Sequence, residues 1–410
     1  MKVLIHTLIY SPDGVSTAYL YKDIAIALKK AGMDVRVLGT TPHFNVVKEE
    51  IEQQPLKWKF WPFLKTSEHD GIKVTHVPMK KFKSTPLRLI SFVYWHILSF
   101  FTALFMRKPD IIISPSPPLT IGLLNVWLGK LKGSKVIYNV QEVYPDILGI
   151  NEGAVFNVLS KMEHYIYNNS NAVTTIDDIF YNNIIERFKN PKKLHIIPNF
   201  VDTDIYRPSE CSNDESLHGS DENRPLKLLY AGNIGMAQDW DTLIELGKAT
   251  KEDNIRFTVI GEGVKLPYLR EKVKEFGLDN IEILSYQPRS KMPEIIAGSD
   301  IQFIFMEPNI AAQGFPSKVY TIMACAKPLL VCSPEKTPII NFLQPVGCAK
   351  LVTKTDMDEK VSIMRDWLLS IDRTQLSEMG KMGLYEIEDN YSKEVVTTRY
   401  VDLIKEVSKR

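Results

Sequence analysis

Cysteine is scarce in this chain, with 4 among 410 residues, and Cys211, Cys325, Cys332 and Cys348 show no CxxC spacing and no histidine cluster around them. That excludes a disulfide scaffold and a structural zinc site, and it predicts a reducing compartment. Net charge is nearly absent too. The 50 Lys and Arg against 49 Asp and Glu give a formal +1, which offers no bulk attraction to nucleic acid. A complete dinucleotide fingerprint is missing as well. Gly14 has no GxGxxG around it, and Gly261-Glu262-Gly263 runs on to Leu266 where the third glycine belongs. A dinucleotide-dependent oxidoreductase is therefore disfavoured. The opening Met1–Tyr10 has an apolar run too short for a secretion signal and no small-residue cleavage site. It reads as a first buried strand, and the expectation is a cytoplasmic protein.

What is present is a repeated α/β grammar. A strand at 2–9 leads through the Gly14 turn to a helix over Ser16–Lys30, and Gly32 precedes a second strand at Asp34–Gly39. The same order returns downstream: strand Lys227–Tyr230, turn Ala231–Gly235, helix Asp239–Ala249, strand Ile255–Ile260, then Gly261-Glu262-Gly263. Two such units predict two doubly wound domains, each binding ligand at the carboxyl ends of its strands. The boundary falls near residue 200, because Ser209–Arg224 is polar and short of large apolar groups. The domains expected are 1–200, a linker at 201–224, a second domain at 225–390, and a C-terminal helix at 391–410. That last segment carries Val395, Val396, Tyr400, Leu403, Ile404 and Val407 at helical spacing and should pack along a domain face.

One segment breaks the pattern. Leu87–Met106 is nearly all apolar, flanked by Lys80, Lys81, Lys83, Arg107 and Lys108. As a helix it would be about 30 Å long, enough to cross a bilayer. A crossing conflicts with the strand-like Ile111–Ser114 that follows at once, since the flanking strands would then lie on opposite sides. A helix partly buried in the first domain, with aromatic and basic residues resting on the cytoplasmic membrane surface, resolves the conflict. Trp58, Phe60, Trp61 and Phe63 beside Lys57, Lys59 and Lys65 point the same way, although they also read as a loop cluster covering the domain.

The stretch Ala311–Val331 reads as a Gly/Pro turn, a short helix opening near Ser317, a small-residue stop and a buried strand. Free N–H groups at such a start, with Lys318 in the first turn, can hold phosphate. Taken together with Ile197–Asp204, Tyr206-Arg207-Pro208, Tyr230–Gly235 and Gly261-Glu262-Gly263, it resembles the retaining nucleotide-sugar glycosyltransferases of family 4. Each motif is weak alone, but their order and spacing carry the resemblance over nearly the whole chain. It is similar to bacterial enzymes that add N-acetylated aminosugars during O-antigen, capsule or colanic-acid assembly, which also tend to carry a turn like Ser116-Pro117-Pro118-Leu119.

The resemblance implies the GT-B fold, two Rossmann-like α/β domains facing a cleft. It implies a nucleotide-sugar donor on the C-terminal domain and an acceptor on the N-terminal one; the expectation is a UDP-sugar as co-substrate with no cofactor, and a lipid-linked or glycan acceptor, the lipid being motivated by the Leu87–Met106 segment. It implies donor contacts at Gly14, Gly232, Asn233, Gly261 and Glu262. The family's carboxylate pair falls on Gln313 and Thr321, and its two phosphate-facing cations fall on Asn233 and Gln238. Arg289 and Lys318 are the candidates to replace those cations, Arg289 also reading as a solvated loop charge. The backbone at Pro316, Ser317 and Lys318 supplies two N–H groups, because proline has none. Glu142, near the family's histidine position, is the candidate to orient the acceptor hydroxyl or take its proton. Asp239-Trp240-Asp241 has the DxD spacing of some metal sites but opens a helix, where acidic residues cap, so no metal is expected. A non-catalytic GT-B partner and a same-fold sugar-nucleotide epimerase are the alternatives, the first motivated by the missing carboxylates.

Overall fold

The computed structural model describes all residues except 44–45, 47–50, 53, 81, 150–151, 209–223, 312–314 and 410, and the side chains of Leu148 and Arg289. The chain divides into two compact units, Met1–Asn199 with Glu394–Arg410, and Phe200–Lys393.

The first unit is built on a nine-stranded sheet. Its strands are β1 (Lys2–His6), β2 (Asp34–Thr40), β3 (Lys57–Phe60), β4 (Leu64–His69), β5 (Ile72–Val77), β6 (Ile111–Pro115), β7 (Lys135–Val140), β8 (Ala172–Thr175) and β9 (Leu194–Ile196). They run in the order β3-β4-β5-β2-β1-β6-β7-β8-β9, parallel except where β4 pairs with β3 and β5. The first strand stops at His6, short of the 2–9 expected. Thr7 Oγ1 donates to the Ile9 carbonyl at 2.9 Å and accepts from its N–H at 3.2 Å, so a side chain takes over the backbone partners of the next step.

Helix α1 (Ser16–Lys30) forms where the periodicity places it, burying Ala18, Tyr21, Ile24, Ala25 and Leu28 at spacings of three and four. Gly32 at φ 82° lets the chain turn back after it. Helix α2 (Thr85–Phe105) carries the apolar segment and is apolar on both its buried and its exposed face. Its buried seam is Ser91, Trp95, His96, Ser99 and Ala103. Leu89, Ile90, Val93, Ile97, Phe101 and Phe105 are exposed, while Leu98, Phe100 and Leu104 pack partly buried against the core. Helices α3 (Leu119–Lys132), α4 (Ala154–Asn169) and α5 (Asp178–Ile184) follow.

The second unit has a six-stranded, all-parallel sheet in the order β12-β11-β10-β13-β14-β15. These strands are β10 (Leu226–Ala231), β11 (Ile255–Ile260), β12 (Ile281–Leu284), β13 (Ile301–Phe305), β14 (Leu329–Cys332) and β15 (Ala349–Val352). Alternate residues feed separate cores on its two faces: Leu228 and Tyr230 join one, Leu229 the other. Helices α6 (Trp240–Ala249), α7 (Leu266–Glu275), α8 (Met292–Ala297), α9 (Lys318–Ala324), α10 (Pro338–Leu343), α11 (Met357–Ser370) and α12 (Arg373–Glu386) cover it.

The last helix, α13 (Lys393–Lys409), belongs to the first unit from Glu394 onward. It buries Val396, Tyr400, Leu403, Ile404 and Val407, and its Tyr400 hydroxyl accepts a 3.0 Å bond from Asn139 Nδ2. Each sheet reverses its winding once, between β1 and β6 and between β10 and β13. In an open α/β sheet ligands gather at the carboxyl ends of the strands beside such a reversal.

Candidate active site

The turns after β10 and β11 are neighbours because their strands are paired in register from Leu226 opposite Ile255 to Ala231 opposite Ile260. They interlock through backbone bonds: Gly232 N–H donates to the Ile260 carbonyl at 2.9 Å, and Ile234 N–H donates to the Glu262 carbonyl at 2.8 Å. Only glycine fits at the centre. A Cβ on Gly261, at φ 152°, would stand 1.8 Å from the Gly232 carbonyl oxygen. Glu262 and Asn233 are exposed on this double turn.

Lys318, the first residue of α9, reaches back to the same place. Its Nζ lies 3.6 Å from the centroid of the Tyr230 ring, and a Cβ on Gly232 would come within 2.6 Å of it. The Tyr230 hydroxyl donates to the Asn233 carbonyl at 2.7 Å, which holds the ring flat beneath the amine. Nζ is sealed from solvent and has no hydrogen-bond partner among the described residues. Burial lowers its pKa from 10.5 to about 7. A buried amine that meets no carboxylate among the described residues is costly in the free protein and well matched to an incoming anion.

The structure thus brings together Gly232, Asn233, Gly261, Glu262 and Lys318. Pro316 and Ser317 lead directly into α9. Thr321 spends its hydroxyl proton on the Lys318 carbonyl at 2.8 Å, leaving only lone pairs for a ligand. Arg289 opens a short 3₁₀ turn at Arg289–Lys291 after β12, and its side chain is not among the described ones. Gln313 lies outside the described residues.

Asp239 is the N-cap of α6, accepting from Thr242 N–H at 3.0 Å, and it pairs with Lys360 Nζ at 2.8 Å. Burial pushes its carboxyl up, but the bonds from Lys360 and Thr242 outweigh that and hold it low. Asp241 accepts the Tyr268 hydroxyl. Both carboxylates of the DxD spacing are thus engaged locally, and among the described residues no group of three or more His, Cys, Asp or Glu could hold a metal ion.

In the first unit, Gly14 lies in the turn between β1 and α1, and Glu142 follows the end of β7. Glu142 is half-buried and accepts the Tyr144 hydroxyl on Oε2 at 3.2 Å. Burial raises its pKa, a shift in the direction a general base near neutrality requires. Its neighbour Gln141 is spent on structure, donating to Asn139 Oδ1 at 2.9 Å and Asn199 Oδ1 at 3.1 Å. Sequence reasoning missed Tyr230 and Tyr144. Their positions next to the Gly232 turn and two residues after Glu142 were the only available signals.

The model of Glycosyltransferase Family 4 matches residues 18–205, and that of Glycosyl transferases group 1 matches residues 214–373. The chain belongs to glycosyltransferase family 4. It is an enzyme that transfers sugar from a nucleotide sugar. The glycosyltransferase is 23% identical, over 384 residues, to the putative colanic acid biosynthesis glycosyl transferase WcaI of Escherichia coli K12, covering 90% of this chain and 92% of that protein. It is 19% identical to the probable glycosyltransferase WbjE of Pseudomonas aeruginosa, covering 73% of this chain and 75% of that one. Among solved structures it is similar to Anabaena HepE in complex with UDP and glucose, with a TM-score of 0.69 at 13% identity and 99% of both chains covered. Sucrose-phosphate synthase of Thermosynechococcus elongatus gives a TM-score of 0.72 at 12% identity, again with 99% of both covered. The fold is GT-B, with two Rossmann-like units.

Proposed function

We propose that the enzyme transfers an N-acetylhexosamine from a UDP-sugar, with retention and without a metal ion, to a lipid-linked or glycan acceptor in surface polysaccharide assembly. The observation that carries this reading is Lys318, a buried amine without a hydrogen-bond partner among the described residues, beside the interlocked glycine turns. A leaving diphosphate accumulates negative charge in an oxocarbenium-like transition state, and a fixed cation aimed at it is worth roughly 3–4 kcal/mol. Glycine at 232 leaves room beside the amine, since a Cβ there would come within 2.6 Å of Nζ. Glu142 takes or orients the acceptor proton in this scheme, its raised pKa supporting the role. The UDP in the HepE complex supports the donor, and the name of the WcaI relative supports polysaccharide assembly, with O-antigen or capsule as the settings we propose.

The exposed apolar face of α2 supports peripheral attachment to the cytoplasmic membrane, where a lipid-linked acceptor would be found. A thermal-shift screen against a panel of nucleotide sugars tests the donor. One UDP-sugar should stabilise the protein above all others, and Lys318→Ala should abolish the shift. A panel with no UDP response, or an unchanged response in the variant, would remove the donor assignment or the lysine's role respectively.

A further inference from the structure

A trough of about 1110 Å³ opens on the first unit between the C-terminal half of α2 and the face of β2, β5, β4 and β3. Its walls are Phe60, Phe63, Leu64, Leu98, Phe101 and Phe105. Leu98, Phe101 and Phe105 recur at helical spacing, so one stripe of α2 forms a continuous apolar wall. Phe105 is 84% exposed and Phe101 49% exposed, although both face apolar neighbours. The rim is cationic: Arg36, Lys57, Lys59, Lys73 and Arg107 line the trough against a single carboxylate, Glu68. An apolar channel with a basic mouth is the shape and charge of a site for an amphiphile with an anionic head and a hydrocarbon tail.

Its place in the fold identifies which amphiphile. Arg36 and Lys73 are paired near the amino ends of β2 and β5, and Arg107 lies between the end of α2 and the start of β6. The residues assigned to chemistry in this unit, Gly14 and Glu142, follow the carboxyl ends of β1 and β7. The basic residues Arg36, Lys73 and Arg107 therefore lie on the amino-end side of the sheet, away from the reacting groups, while the apolar wall runs on to Phe60 and Leu64 beside the carboxyl end of β5. An acceptor lipid must present its head at the reacting groups; a membrane phospholipid need not.

We propose that this trough holds an acyl chain of an anionic membrane phospholipid, its phosphate on the basic rim. The enzyme would thereby be fastened by a lipid drawn part-way out of the bilayer, in addition to the apolar face of α2. This inference rests on the membrane reading above and gives it a defined ligand site.

The test uses the full-length enzyme stripped of lipid and titrated calorimetrically with monomeric dioctanoyl phosphatidylglycerol. Dioctanoyl phosphatidylcholine and farnesyl phosphate serve as comparisons. Sedimentation with phosphatidylglycerol vesicles is measured in parallel. Two double variants separate the surfaces: F101Q/F105Q alters the trough wall, and L89Q/I90Q alters exposed residues of α2 outside it. The phosphatidylglycerol monomer should bind at least tenfold more tightly than the phosphatidylcholine one. It should lose that binding in F101Q/F105Q and keep it in L89Q/I90Q. Vesicle binding without monomer binding overturns the trough while leaving membrane attachment standing. Farnesyl phosphate binding more tightly than phosphatidylglycerol overturns the phospholipid assignment in favour of an acceptor lipid. No vesicle binding at all removes the attachment itself, and the trough proposal with it.

Discussion

Replacing Lys318 with methionine should make the enzyme more stable and less able to bind its donor. Methionine keeps the length and apolar stem of the side chain while removing the buried charge. Lowering the amine's pKa from 10.5 to about 7 corresponds to ~5 kcal/mol of penalty on its charged form. A gain of up to that order is expected for Lys318→Met in the ligand-free protein at or below pH 7, where the amine is charged in both states. In a domain of this size each kcal/mol gained is a rise in Tm of about 2–4 °C.

The pH dependence follows from the direction of the shift. Below pH 7 the lysine is protonated in both folded and unfolded states, so the full penalty is present. Between about 7 and 10.5 the unfolded chain carries a proton that the folded one does not, so wild-type stability gains as pH rises and the variant's advantage shrinks. Donor binding runs the other way. A diphosphate beside Nζ restores the charged form, so UDP binding by the wild type should take up close to one proton at pH 8 and little at pH 6. Calorimetry in buffers of different ionisation enthalpy reads that uptake, and scanning calorimetry of the two proteins between pH 6 and 10 reads the stability. A variant that melts lower than wild type at pH 7, or that binds UDP with unchanged affinity and proton uptake, would refute the reasoning about Lys318.

Three further outcomes are expected. Glu142→Gln should lower kcat by about 10²–10³-fold with a smaller change in KM; the wild-type rate should fall as pH drops through the raised Glu142 pKa, and the variant should lack that limb. Gly261→Ala places a Cβ 1.8 Å from the Gly232 carbonyl at a φ that favours glycine, so denaturant titration should show a loss of at least ~2 kcal/mol together with loss of UDP binding. Asp239→Ala leaves Lys360, 5% exposed, without its carboxylate and should cost about 3–5 kcal/mol; turnover by the wild type in excess EDTA should be unchanged, and a strong loss there would return the DxD pair to consideration as a metal site.

Much of the architecture was legible because it rests on local rules. Apolar spacing placed α1 at Ser16–Lys30, α6 within a residue of its observed start, and the strand at Ile255–Ile260. The capping role of Asp239 was legible for the same reason: a carboxylate three residues before a free N–H is a short-range geometry. Strand β1 was overextended, because the competition of the Thr7 hydroxyl for backbone partners leaves no mark in the hydrophobic pattern.

The sequence by itself determined the order of elements, the family and the glycine turns that let backbone meet backbone. These follow from residue types and spacings of a few positions. Tertiary structure alone decided that Tyr230 underlies Lys318, that Gln141 is spent on Asn199 while Glu142 stands next to Tyr144, and that α2 turns Ser91 and Ser99 inward and Phe101 and Phe105 out. Each depends on which strands become neighbours and on which face of a helix finds a partner. Those are contacts between residues far apart along the chain, and periodicity can name the faces of an element without saying which one will be covered.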